Sequence, residues 1–442
     1  MPGRRDFLGI SSAALAVAVA GGGSGRSRAA RAVTAEGPDA TLAAADRLFR
    51  AGHFAQADAR YERVLDSDPA NPRALAQLGY LAMLANRLPE ARGLLQRALR
   101  AQPGNQQSAQ NLAATLYRLN DFPAAAAAYR RLGPGTAAMA QMLASFGDTA
   151  PYQLYGPDTT RLPFLRTSPL PMVSISVNGS APVPVNLDTG APALSLDPSF
   201  AASVGVTRGA PGVVGWGRAD RVTLGDIEIR DVPVSLAPVP LGGLRAPDGQ
   251  ADHGVLGLGL LSQFVFTMDY AGAALELRRP AARPVGQAED WPAGMVSTPF
   301  WMAADHFMVT WGSVNSHSPR LLIIDTGGEN TGLVLGPADA AAAGITLDKK
   351  KGQRVTSGIV NGQVQYATAY PVTVDKLALG AAVGCDLPGG VITPLASPDF
   401  GFATGGRVSH SFFLPFAATY DVSRMRLSLR GSTSSCGPGT GG

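Results

Sequence analysis

Residues 184–191 read Pro184-Val185-Asn186-Leu187-Asp188-Thr189-Gly190-Ala191, and residues 321–328 read Leu321-Leu322-Ile323-Ile324-Asp325-Thr326-Gly327-Gly328. Each is a mostly apolar run that stops at Asp-Thr-Gly. The pattern predicts a buried strand that hands a carboxylate to a tight, glycine-permitted loop. The likeness continues downstream. Leu194-Ser195-Leu196-Asp197-Pro198 matches Leu333-Val334-Leu335-Gly336-Pro337, and an Ala-rich helix follows each, ending in Gly205-Val206-Thr207 or Gly344-Ile345-Thr346. Each half has a Leu-Gly turn, at Leu224-Gly225 and Leu379-Gly380. Each closes on an Asp and an alternating strand: Asp269 before Leu275-Glu276-Leu277-Arg278, Asp421 before Leu427-Ser428-Leu429-Arg430.

A single Asp-Thr-Gly is three common residues. Two copies, each behind an apolar strand and inside a longer duplication, resemble the aspartic peptidases. Ala191 after the first triplet is closer to the retropepsin type than to the pepsin type. Gly254-Val255-Leu256-Gly257-Leu258 is similar to the apolar-apolar-Gly element that buttresses the active loop in that superfamily. The resemblance covers about 260 residues. It implies an all-β, bilobal, duplicated retropepsin-like domain with halves at 171–285 and 286–431, Asp188 and Asp325 as the catalytic pair, and Thr189, Gly190, Thr326 and Gly327 as its support. In particular it implies that Thr189 and Thr326 cross-bond the two loops. The stretch before each Leu-Gly turn is the expected substrate-covering flap, with Trp216 and Gly217 in the first half and Gly358 and Ile359 in the second. One departure stands out. Opposite Val255-Leu256-Gly257 the second half has Arg407-Val408-Ser409, without the buttressing glycine.

The chemistry explains the residue types. Hydrolysing a peptide bond without a metal or a covalent intermediate needs an activated water and an acid for the leaving nitrogen. Two carboxylates can supply both by sharing one proton, since at ~4 Å and an effective dielectric near 20 two negative charges repel by about 4 kcal/mol. No metal or other cofactor is called for, and the chain has no P-loop or dinucleotide fingerprint, no His-x-x-x-His pair and no Gly-x-Ser-x-Gly elbow in its β region. Neither loop carries Ser or Thr after its glycine. The lost hydroxyl donor moves the expected working range to roughly pH 4.5–6.5.

Residues 38–147 have a different period. Ala57, Ala91 and Ala125 are 34 apart, as are Tyr61, Leu95 and Tyr129, and Pro69 and Pro103. Together with Leu75, Leu78, Gly79, Ala82 and Ala98 this resembles the tetratricopeptide repeat: small residues where antiparallel helices touch, large ones in the gap, Pro after the second helix. The overall expectation is a multidomain chain, an all-α repeat solenoid followed by the β domain. Stacked repeats imply a protein partner along the concave face, or alternatively a packing platform for the chain itself. Residues 148–170, with Pro151, Gly156, Pro157, Pro163 and Pro169, read as a linker, and 432–442 as a disordered tail.

The chain opens Gly3-Arg4-Arg5-Asp6-Phe7-Leu8 ahead of an Ala-rich apolar run. This resembles a twin-arginine export signal over residues 1–32, cleaved after Ala20 or Ala32, and implies a periplasmic or secreted protein. The net charge of +4 lies wholly in those residues. The remainder is neutral, which argues against nucleic acid as a partner, and no apolar run approaches the ~20 residues that span a bilayer. Cys385 and Cys436 allow one disulfide or two free thiols. The resulting expectation is an exported aspartic endopeptidase acting on a peptide or protein substrate. A non-catalytic peptide binder using the same cleft, or a repeat-based scaffold, are the alternatives.

Overall fold

Small residues at fixed spacing let helices pack in pairs, and the N-terminal region does so. The computed structural model describes residues 38–208, 215–236, 244–280, 295–315, 317–360, 363–395, 399–431 and 436. The expected signal peptide lies outside the described residues. Six helices form three antiparallel pairs: α1 (Pro38–Arg50) with α2 (Phe54–Ser67), α3 (Pro72–Leu84) with α4 (Leu88–Ala101), and α5 (Gln106–Arg118) with α6 (Phe122–Arg131); α7 (Ala137–Ala144) follows. Ala57, Ala91 and Ala125 are fully buried. A side chain on Gly79 would come 2.7 Å from Leu95, so this crossing needs a glycine. Asn71, Asn105 and Asp121 accept backbone N–H groups at the starts of α3, α5 and α6 and set where those helices begin.

The β region has strands β1 (Gln153–Tyr155), β2 (Thr159–Pro163), β3 (Met172–Val177), β4 (Val183–Asp188), β5 (Leu194–Leu196), β6 (Thr207–Arg208), β7 (Trp216–Leu224), β8 (Ile227–Leu236), β9 (Gly254–Gly257), β10 (Val265–Asp269) and β11 (Ala274–Arg278). Helices α8 (Pro198–Ser203) and α9 (Leu258–Leu261) lie among them. Then come β12 (Met295–Pro299), β13 (Trp301–Ala303), β14 (Phe307–Val314), β15 (Arg320–Ile324), β16 (Leu333–Leu335), β17 (Gln353–Val360), β18 (Gln363–Leu379), β19 (Ala382–Thr393), β20 (Arg407–Val408), β21 (Phe416–Asp421) and β22 (Arg426–Gly431), with α10 (Pro337–Ala342) and α11 (His410–Phe413).

The strands form two eight-stranded sheets, ordered β1-β8-β5-β9-β4-β3-β7-β6 and β13-β14-β15-β20-β16-β19-β18-β17. The two share one pairing scheme. β4 runs parallel to β9, and β9 antiparallel to β5; β15 runs parallel to β20, and β20 antiparallel to β16. A six-stranded antiparallel sheet, β12-β22-β21-β10-β11-β2, joins the halves. At its centre β10 pairs with β21, and Thr267 and Thr419 share a 2.8 Å hydrogen bond. The last strands of both halves thus build one sheet, and one apolar core runs through both.

The stretch read as a linker is part of these sheets. β1 pairs with β8, and β2 with β11. Thr160 and Leu162 face inward between exposed neighbours, an alternation that the surrounding prolines concealed. The first half therefore begins before residue 171. Of the expected tail, Cys436 alone is among the described residues, and it forms a disulfide with Cys385 on β19.

The repeats pack on the β region. Phe54 meets Trp301 and Phe402 with ring centroids 5.1 and 5.0 Å apart, and His53 stacks on Trp311. Leu321 and Ile323 of β15, with Val309, share a core with Phe49, Tyr80 and Leu81. Arg118 donates to the Met302 carbonyl (3.0 Å) and to Asn86 Oδ1 (2.9 Å), while Asn86 donates to the Val422 carbonyl (3.1 Å). These contacts come from α3, from the ends of α1 and α5, from the start of α2 and from the turns that follow α1 and α3, so part of the repeat surface is used by the chain's own β region.

Two outcomes follow from this packing. Phe54 is 4% exposed at the junction, so Phe54→Ala should cost about 3–5 kcal/mol. The helical circular-dichroism signal and the tryptophan fluorescence should still melt together; separate transitions would show that the repeats fold independently of the sheets. His410 is fully buried beside Tyr270, and neither ring nitrogen meets a hydrogen-bond partner. Burial pushes its pKa down to about 4 from 6.5. The unfolded chain then takes up this proton before the folded one does. Stability from this residue is intact above pH 6.5 and falls by about 3 kcal/mol on the way to pH 4. His410→Leu should lose less melting temperature than the wild type between pH 7 and pH 4 in a thermal scan.

Candidate active site

Both Asp-Thr-Gly triplets stand at the ends of buried strands. Val185 and Leu187 of β4, and Leu322 and Ile324 of β15, are essentially inaccessible, so neither strand can shift without opening the core. The two loops meet across the seam between the halves. Thr189 Oγ1 accepts the Thr326 N–H (3.1 Å), and Thr326 Oγ1 accepts the Thr189 N–H (3.0 Å). Thr189 Oγ1 also donates to the Ile324 carbonyl (3.4 Å). Both threonines are fully buried.

This exchange presses each loop against the other's carboxyl. A side chain on Gly190 would overlap the Asp325 carboxyl, and one on Gly327 the Asp188 carboxyl. Within its own loop, Asp188 Oδ1 accepts the Gly190 N–H (2.7 Å) and Asp325 Oδ1 the Gly327 N–H (3.2 Å). The two carboxyl groups thus lie close together across the seam. Burial first, and then the charge of Asp325, push the Asp188 carboxyl well above the ordinary carboxylate range, against the opposing pull of the Gly190 N–H and the Arg407 charge. A pair of half-buried carboxyls that shares one proton can take a proton from a water and give one to a carbonyl oxygen.

The two loops are supported differently from behind. In the first half Asp188 stands opposite Gly257 in the β4/β9 register, and the Leu258 N–H meets the Ala191 carbonyl (2.8 Å). A side chain on Gly257 would strike the Ala191 and Ala193 carbonyls. In the second half Ser409 holds the corresponding place, and its Oγ accepts the Gly328 N–H (2.8 Å). A Cβ on Gly328 would lie 2.5 Å from that oxygen. Gly257 makes room for two loop carbonyls, whereas Gly328 makes room for the Ser409 hydroxymethyl. The second half thus has its glycine in the loop, and the loop keeps its support.

The flap residues are placed less tightly. Trp216 and Gly217 open β7, opposite Ser235 and Val234 of β8, and Trp216 packs half-buried on the first core; the loop tip before them, 209–214, lies outside the described residues. Gly358 and Ile359 lie in β17, opposite Gln365 and Val364 of β18, and the turn at 361–362 also lies outside. No described contact joins these four residues to the carboxyl pair. Asp269 and Asp421 shape turns, bonding the Gly272 N–H and Arg424 respectively. Glu329 is exposed. One residue at the pair itself was not expected there: Arg407 Nη1 lies 3.2 Å from Asp325 Oδ2. The signal was a cation in the register position where the first half has Val255.

Residues 173–260 match the aspartyl protease family. This match contains the first triplet and the Gly257 buttress. Residues 42–106 match the tetratricopeptide repeat. No curated protein matches the chain. Among solved structures, basic 7S globulin from soybean is 14% identical, covering 63% of this chain and 95% of its own, with a TM-score of 0.33. The first tetratricopeptide domain of Spaghetti (RPAP3), bound to an HSP90 peptide, is 17% identical over 22% of this chain and 75% of its own (TM-score 0.21). MamA AMB-1 is 21% identical over 26% of this chain and 65% of its own (TM-score 0.24).

The exchange of small residues behind the loops can be tested by a double-mutant cycle. Gly328→Ala should destabilise by about 1–3 kcal/mol through overpacking against Ser409. Adding Ser409→Gly, which reproduces the Ala191–Gly257 arrangement, should recover most of that loss in denaturant titrations. Additive losses would contradict the compensation.

Proposed function

We propose that the chain is an exported aspartic endopeptidase that hydrolyses peptide bonds with a water activated by Asp188 and Asp325. The observation that carries this reading is the reciprocal Thr189–Thr326 bonding, which brings two half-buried carboxyl groups close together. Keeping two like-charged groups together away from water is costly, and a surface built only to grip a peptide has no use for it. The family match over residues 173–260 supports the same reading. In this reading an extended peptide lies along the seam between the halves, with Trp216, Gly217, Gly358 and Ile359 belonging to the segments that cover it. The repeats, matched over 42–106, serve protein recognition with whatever face the β region leaves free. The twin-arginine-like start places the mature protein in the periplasm or outside the cell. Crossing in the folded state suits a chain whose repeats and sheets share a core.

In the reaction, a water held between the carboxyls loses a proton to the ionised one as its oxygen bonds to the peptide carbonyl carbon. The protonated one gives its proton to the carbonyl oxygen. When the tetrahedral diol collapses, the C–N bond breaks, the nitrogen takes the proton that came from water, and the first donor regains its own.

Cleavage of an unbiased peptide library by residues 33–442 tests the proposal. Peptides should be cut with an optimum at roughly pH 4.5–6.5. Asp188→Asn and Asp325→Asn should each cut rates by at least about a thousandfold, since either change removes the shared proton. Folded wild-type protein that cleaves nothing from pH 3 to 8 would shift the assignment to a peptide-binding protein with the same cleft.

A further inference from the structure

The two halves supply the same backbone pairing to the two carboxyls but not the same side chains. In the first half, Val255 stands beside Asn186 of β4 and Ser195 of β5, an aliphatic residue 5% exposed. In the second, the same position is Arg407, beside Ile323 of β15 and Val334 of β16. Its guanidinium Nη1 meets Asp325 Oδ2 at 3.2 Å, with the arginine side chain 22% and the aspartate side chain 16% exposed. The ion pair is largely shielded from water, where a charge contact retains its strength.

The other charges around the pair do not cancel this asymmetry. Glu329, beyond the second triplet, is exposed, and its charge is felt by Arg166. His410, next along from β20, is buried and neutral, turned to Tyr270. Asp188 has a backbone N–H donor from Gly190, as Asp325 has from Gly327. Arg407 makes its ion pair with Asp325, and Val255, at the equivalent place beside β4, offers Asp188 no such charge.

We infer that Arg407 is a positioning residue that breaks the symmetry of the carboxyl pair, holding the shared proton on Asp188 and the negative charge on Asp325. The inference rests on the peptidase reading for its consequence in catalysis. Asp325 is then the base that takes the proton from water as the C–O bond forms. Asp188 is the acid that protonates the carbonyl oxygen, and Asp325 returns its proton to the departing nitrogen. A fixed cation beside the base also favours the singly ionised pair at lower pH, opposing the upward push from the two loops that lack a hydroxyl after glycine.

The test compares wild type, Arg407→Val, Arg407→Gln and Arg407→Lys in two measurements. The first is the pH profile of kcat/KM on a cleaved library peptide. Both neutral variants should move the acid limb to higher pH by about one unit, and Arg407→Lys should stay near the wild type. A residue that only packs would lower the rate without moving the limb. The second needs no turnover: carbon-13 NMR of the Asp188 and Asp325 carboxyls. The wild type should hold the proton on Asp188, and the neutral variants should no longer confine it there. A proton found on Asp325 in the wild type, or limbs that coincide in wild type and neutral variants, overturns the proposal. Folded protein with the proton on Asp188 that cleaves no peptide would sink the peptidase reading while supporting the role of Arg407. Cleavage with an unmoved limb would do the reverse.

Discussion

Two backbone N–H groups, each donated to the other loop's threonine hydroxyl, hold this molecule's central feature in place. They keep the Asp188 and Asp325 carboxyls close together, against the repulsion that parts two like charges. The exchange forces close approach, which excludes any side chain at Gly190 and Gly327. Close approach requires a rigid seam, and the antiparallel β10–β21 pair, drawn from both halves, supplies it. The duplicated sheets are thus a device for bringing two loop ends to one point.

Each half supports its loop through a close approach that one glycine permits. In the first, Gly257 makes room for the Ala191 and Ala193 carbonyls; in the second, Gly328 makes room for the Ser409 side chain. The serine does more than fit, because its hydroxyl takes up a loop N–H that the first half satisfies otherwise.

Much of this was legible in the sequence because it depends on local pattern. Apolar runs ending in Asp-Thr-Gly mark strand ends, and a 34-residue spacing of alanines marks helix contacts, whatever surrounds them. What escaped depends on encounters between distant segments. Thr160 and Leu162 alternate correctly for a strand, but only pairing with β11 makes them one, and the neighbouring prolines argued otherwise. Phe54, Trp301 and Phe402 are ordinary core residues in sequence, and nothing local says that they meet. The disulfide joins residues 51 apart in sequence. Arg407 looked like a lapse in an apolar motif until the register put it beside Asp325. Docking the first helices on β13–β15 ties the repeats to the strand that ends at Asp325, so the array is part of the frame around the site as well as a surface of its own.

The most direct measurement is a crystal structure of the mature chain with a statine-type peptide, whose hydroxyl mimics the tetrahedral diol. The hydroxyl should sit between the two carboxyls, within hydrogen-bonding distance of Asp188 and Asp325 together, with the peptide extended along the seam. A peptide bound elsewhere, or carboxyls that stay closed against each other while it binds, would contradict a water-activating pair.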